Sequence, residues 1–475
     1  MKKLNATGWV AVIFLAAMLM LSGCDDDEDT VSRPDMGEGA ELRVVHASPD
    51  APNVDIYAEG VASPLIRNLG YGEVSAYLDL DAGTYNIQIR SAGADSTSAP
   101  AYETGDLVIQ DDVKITALAA GLLASMDDQD KFRVLPLIEN FDDPGAGNAA
   151  VRIIHGSADA PTVAIDVGND GTPEITDFER FEDTGASGVA LPAGSELQIG
   201  IWAGNPLARV TAFTTPALTE GADLFVIATG LLAKLPRETD GFSLLAVGEA
   251  GALGMLKQNP YVYALHGSPD APAVDIYAGS TMLVENIDFG DLSDPVQVIP
   301  GSYTLDFNAT GTPTTAAQVT TPALEAGNMY LGIASGYLSS GPPDFQLIPL
   351  ADEFTLGSSS ALVRVVHASP DAPAVDVGTV SGGTVTPVAD YTNLSFTDSS
   401  SGAGTALPVG NLLIGVAATG TTDPVASFNI TTSAGMKAFA VAAGSLSGPG
   451  ESFRLVVVNA TSLPWTAVEV FPVVQ

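Results

Sequence analysis

The chain has a single cysteine in 475 residues, four histidines and only 18 lysines and arginines. One thiol excludes a disulfide framework and any cysteine-based zinc site. Eighteen bases against 57 acids give a formal net charge of −39. A nucleic-acid binder needs a basic footprint, so that class is excluded as well. G-x-S-x-G, H-E-x-x-H, a phosphate loop and a G-x-G-x-x-G preceding a helix are all missing, which removes the common hydrolase, metalloprotease and nucleotide signatures. No long 3.6-residue periodicity follows residue 40. What is present is 46% hydrophobic residues with 49 glycines and 31 prolines. That mixture builds packed cores, rules out wholesale disorder and suits a turn-rich β protein.

The N-terminus reads as an address. Lys2 and Lys3 precede an apolar run of thirteen from Trp9 to Leu21, long enough for a signal peptide and too short to span a bilayer. Leu21-Ser22-Gly23-Cys24 resembles a bacterial lipobox, in which the cysteine thiol is alkylated by a diacylglyceryl group before cleavage. The expected mature chain starts at acylated Cys24 and hangs from a membrane by lipid. Residues 25–40, DDDEDTVSRPDMGEGA, are expected to form a disordered acidic tether. Asp25 resembles an inner-membrane retention signal of enteric bacteria. The expected location is the bacterial cell envelope, at the outer membrane or the inner one.

Internal repetition sets the architecture. LRVVHASPDAPNVDIY from Leu42, VRIIHGSADAPTVAIDV from Val151, YALHGSPDAPAVDIY from Tyr263 and VRVVHASPDAPAVDV from Val363 open four similar segments. All four histidines, His46, His155, His266 and His367, fall at the same place in this opening. Gly83, Gly194, Gly301 and Gly410 mark a turn, Gly121, Gly230, Gly336 and Gly444 end an apolar run, and Phe132, Phe242, Phe345 and Phe453 start a closing strand. The first segment reads as strands near 42–47, 53–58, 74–80, 84–90, 106–110, 113–122 and 132–138. Tyr85 to Ile89 alternates with period two, as a half-buried strand does. Seven or so strands per hundred residues predict an all-β chain of four tandem immunoglobulin-like β-sandwiches over 41–143, 148–250, 258–354 and 360–471. The turn-rich links 141–149, 248–260 and 351–360 are expected to bend and to be accessible to proteases. Four units end to end reach on the order of 150 Å.

The repeated H-[AG]-S-[PA]-D-A-P-x-V opening resembles the bacterial family called domain of unknown function 4397. The resemblance covers about 41–465. It implies cell-envelope modules with no established activity and brings no catalytic residue. The second segment departs at Ala158 and at Val163-Ala164-Ile165-Asp166, the fourth at Val377-Gly378.

Two sets of residues invite a chemical reading. His46 with Ser48, Asp50 and Asp55, and the equivalent His155/Asp159, His266/Asp270 and His367/Asp371, have the residue types of a triad or a metal site. Strand parity points instead to structure. Residues two and four before each histidine are apolar, which buries the imidazole. Residues three before it, Arg43, Arg152, Tyr263 and Arg364, are expected on a solvated face. A buried imidazole needs partners, and Asp50 and its equivalents are expected to supply them. The second set is Asp166, Asn169, Asp170 and Glu174, which approximates a calcium loop with Gly168 where a ligand should stand. The expected function is a lipid-anchored, non-enzymatic spacer or interaction module, adhesion-like or scaffolding. Its expected partners are a membrane through the lipid and an unidentified envelope protein or glycan. The alternative is a glycan- or divalent-metal-binding lipoprotein, with calcium as the one conceivable cofactor.

Overall fold

The computed structural model describes residues 39–339 and 341–473. The leader, Cys24 and the acidic segment through Glu38 lie outside the described residues. The first unit contains β1 (Ala40–His46), β2 (Val54–Ala58), β3 (Ile66–Leu69), β4 (Leu78–Leu80), β5 (Gly83–Ser91), β6 (Tyr102–Ile109), β7 (Lys114–Ala120) and β8 (Arg133–Ile138). These strands form two sheets, in the orders β4-β1-β7-β8 and β3-β2-β5-β6. β1 runs antiparallel to β4 but parallel to β7. The same plan recurs three times, giving eight sheets in four pairs, so the chain is a series of tandem β-sandwiches. The second and fourth units each add one strand beyond the eighth, Gly251–Lys257 and Thr466–Val470. The second unit therefore runs through residue 257, past the boundary read at 250.

Each sandwich has its own core. In the first, Leu42 and Val44 of β1 meet Val54, Ile56, Ile87 and Ile89 of the opposite sheet. The intervening residues of β1 do not face water. Val45 and Ala47, with Leu118, Ala120 and Leu137, share a second core with Ile154, Phe225, Ile227, Leu245 and Val247 of the second unit. A third and fourth unit are joined alike: Leu265, Leu331 and Ile333 pack with Val366, Phe439 and Val441. Sheets covered on both faces carry near-continuous apolar runs rather than alternation, and β1 and β7 are such strands. β6, whose sheet has a free face, alternates in exposure as expected of one.

This pairing overturns the solvated-face expectation. Arg43, Arg152, Tyr263 and Arg364 are 1%, 6%, 0% and 8% exposed. They lie in the seams, and most of their polar atoms are met there, Arg364 Nε being an exception. Arg43 Nη1 donates to the Gly248 carbonyl at 2.6 Å and Nε to Thr116 Oγ1 at 2.8 Å. Arg152 and Arg364 donate to the Ile138 and Ala351 carbonyls of the preceding unit, at 2.7 and 3.1 Å. Tyr263 stacks on Trp465 at 4.5 Å and its hydroxyl accepts from the Trp465 amide.

The links are packed as well. Phe141 rests edge-on against Phe225 at 5.2 Å, Asp352 and Phe354 are buried, and most of 248–260 is the ninth strand of the second unit. Units joined face to face within a pair cannot stand end to end, so the bends expected at 141–149 and 351–360 and the full reach of four units in line are not found.

Candidate functional site

In every unit the first strand ends on its histidine, which the turn after it encloses. The rings are 1–2% exposed. His46 Nε2 lies 3.1 Å from the Pro52 carbonyl, and His155, His266 and His367 make the same contact with Pro161, Pro272 and Pro373 at 3.0, 3.1 and 3.1 Å. A carbonyl only accepts, so Nε2 carries the proton. Nδ1 makes no hydrogen bond in any of the four. Burial pushes all four imidazoles below their ordinary pKa, and the carbonyl bond opposes this only in part. The rings are neutral wedges.

The aspartates do not touch them. Asp50 reaches across to the turn after β7, where its carboxylate accepts the amides of Leu123 and Ala124 at 2.7 and 2.9 Å. Asp159 takes Leu232 and Ala233, Asp270 takes Leu338 and Ser339, and Asp371 takes Leu446, Ser447 and Gly448. Burial raises the Asp371 carboxyl, and those amides outweigh it, leaving the pKa below the usual range. Ser48 Oγ donates to the Gly121 carbonyl at 2.7 Å, and Ser157, Ser268 and Ser369 repeat this with Gly230, Gly336 and Gly444. Gly121 has φ +85°, and a Cβ there would stand 2.4 Å from the Lys131 carbonyl oxygen. The expected His–Asp partnership is therefore replaced by two staples in parallel. Histidine pins its own turn, and serine and aspartate pin that turn to the one after the seventh strand.

That geometry does no acid–base chemistry. A serine nucleophile needs a base within hydrogen-bond reach, and these hydroxyls are spent on carbonyls. Sequence reasoning missed the serine–glycine bond, although the glycine recurs at a fixed landmark in all four units. It also read Asp55 only as a member of a metal set and missed its structural role, which recurs in two other units. Asp55 accepts the amides of Asn68 and Gly93, Asp275 those of Asn286 and Gly311, and Asp376 those of Asn393 and Gly420. These amides hold Asp275 and Asp376 below the usual carboxylate range. The second unit has buried Ala164 there instead.

The loop read for calcium is a closed turn. Asp166 is fully buried, and its two oxygens accept the amides of Asp170 and Gly171 at 3.1 and 2.8 Å. Asp170 caps Thr172, and Glu174 accepts the Val167 amide at 2.7 Å. Asn169 takes the left-handed conformation, and its Oδ1 accepts from Arg209. Calcium needs six to eight converging oxygens. Among the described residues no group of three or more His, Cys, Asp or Glu is placed to hold a metal ion.

Residues 40–166 and 260–378 match a family model described as Domain of unknown function (DUF4397). Each matched stretch runs past its own sandwich into the first two strands of the next unit, and so includes two copies of the histidine opening. No curated protein matches the chain.

Proposed function

From a chain that belongs to the family described as Domain of unknown function (DUF4397), we propose a non-enzymatic scaffold of the bacterial cell envelope, lipid-anchored through Cys24, with all four units copies of one domain. The observation that carries this reading is the fate of the repeated polar motif. In four units out of four its histidine, serine and aspartate each make an internal bond that closes a turn. A motif repeated for nucleophilic catalysis would pair its serine with its histidine. A motif repeated for rigidity closes its turns, as these do. Repetition then extends the presented surface without new chemistry. The acidic exterior keeps neighbouring molecules apart, and the partner is an envelope protein or glycan that meets this surface.

Lipidation tests the anchor. Cells expressing the full chain take radioactive palmitate into it, and the Cys24→Ser chain takes none. Equal label in both overturns the anchor. Scattering from the chain beginning at Asp25 tests the scaffold. A profile that fits the paired arrangement supports it, and one requiring four freely hinged bodies overturns it.

A further inference from the structure

The four sandwiches are not equally filled. In the second unit an apolar cavity of about 260 Å³ lies between the sheets, and in the fourth one of about 290 Å³. The third unit's corresponding space is about 60 Å³. The two large cavities belong to the two units with a ninth strand, and that strand lines each of them, through Leu253 and Gly254 in one and Val468 and Val470 in the other.

The cause is geometric. A five-stranded sheet faces a four-stranded one, so the added strand has no partner strand opposite and extends the interior towards an open edge. Its inward face is small or uncovered: Gly254 has no side chain, and Val468 is 59% exposed. Solvent follows this edge inward. Ala117 and Ala119 on β7 are buried, whereas Val226 and Ala228 at the same positions of the second unit are half-buried. Ala440 and Val457 in the fourth unit are half-buried too.

We infer that these two cavities bind an uncharged aliphatic chain, one in each unit. Each exceeds the ~150 Å³ apolar cavity that is known to take up benzene, and approaches the ~300 Å³ at which ligand pockets begin. The lining is mostly apolar; it includes the neutral His155 in one unit and His367, Tyr391, Asn429 and Asn459 in the other, and among the described residues it contains no lysine or arginine. No fixed positive charge there compensates a carboxylate or phosphate, and the chain's own net charge of −39 disfavours any anion at the mouth. A neutral chain alone gains by entry, through the apolar area it removes from water.

The test uses the chain from Asp25 onward, which retains every described residue. Its probe is N-phenyl-1-naphthylamine, an uncharged fluorophore, competed with decanol and with decanoate. Two probe molecules bind per chain, and decanol displaces them at least tenfold more effectively than decanoate. Ala246→Phe and Ala440→Phe place a ring in the second and fourth cavities. Each halves the stoichiometry, and the double variant abolishes binding while its circular dichroism is unchanged. No binding by the parent chain, or binding that survives in a folded double variant, overturns the inference. Should the phenylalanine variants fail to fold, Val226→Cys in the same chain provides a second readout. Decanol slows its labelling by a neutral maleimide if the cavity is occupied, and an unchanged rate overturns the inference.

Discussion

The seams within the pairs and the joint between the pairs are built on opposite principles. Within a pair, the contact is a core: Phe439 is fully buried, 5.0 Å from Phe354 and 5.6 Å from Trp465. Between the second and third units the contact is mostly polar. Gln297 Nε2 donates to Thr211 Oγ1 at 3.0 Å, and Arg237 donates to the Phe354 carbonyl at 2.6 Å. Apolar burial is worth more with every square ångström, whereas a net hydrogen bond gives about 1 kcal/mol and fixes geometry. A pair is thus one cooperative body, and the joint sets the angle between two such bodies.

The largest test of that contrast is Phe439→Ala, which should cost about 3–5 kcal/mol, as buried aromatic truncations do. Hydrogen exchange should show the third and fourth units loosening together. Phe428, equally buried but inside the fourth unit's own core, should loosen chiefly that unit when truncated. Identical footprints for the two variants would break the comparison.

Next come the staples, which lie beside the seams in every unit. His46→Ala should destabilise the first pair by ~1–3 kcal/mol in urea melts, since it removes a fully buried ring together with its bond to the Pro52 carbonyl. Ser48→Ala and Asp50→Ala pin the same glycine turn, so together they should cost less than their sum. His46→Ala with Asp50→Ala should be close to additive, because the two side chains hold different groups.

Acidity gives a graded effect. The four imidazoles sit below their ordinary 6.5, so below that pH the unfolded chain takes up protons that the folded chain refuses. Stability should fall as pH drops from 6.5 towards the folded values. Asp275, Asp371 and Asp376 lie below their ordinary 3.8. Their contribution is present above 3.8 and is lost as pH falls through the folded values, a second and lower step. Urea midpoints that stay level from pH 7.5 to 4.5 would contradict the buried neutral rings.

The smallest effect belongs to the joint. Gln297→Ala should change stability by about 1 kcal/mol yet broaden the angle between pairs, visible as an increased radius of gyration. A stability loss as large as that of Phe439→Ala would mean the joint is a core after all.

Much of each sandwich was legible from residue order. Seven of the eight strands of the first unit fall where alternation and turn formers place them. β3 escaped because Ile66-Arg67-Asn68-Leu69 is short, two of its residues are exposed, and Asn68 adopts a left-handed backbone. The buried histidine was legible from parity, but its partner was not, since the Asp50 carboxylate reaches a turn more than seventy residues away. The seams were missed for a definite reason. An arginine amid valines ordinarily marks a face in water, yet the apolar residues on both sides of it spell a strand covered twice. Guanidinium groups enter such places when carbonyls and hydroxyls wait for them, as Gly248 and Thr116 do for Arg43.

The seams also govern how a chain of this kind grows. A sheet that is apolar on its outer face must find another like it, so a lone unit, or a run of three, leaves one face bare to water and ready to aggregate. Gain or loss of a single repeat should therefore cost solubility, while gain or loss of two leaves every seam covered. The consequence expected of paired seams is a molecule whose natural increment is the doublet, so that the repeat number of a related chain should stay even.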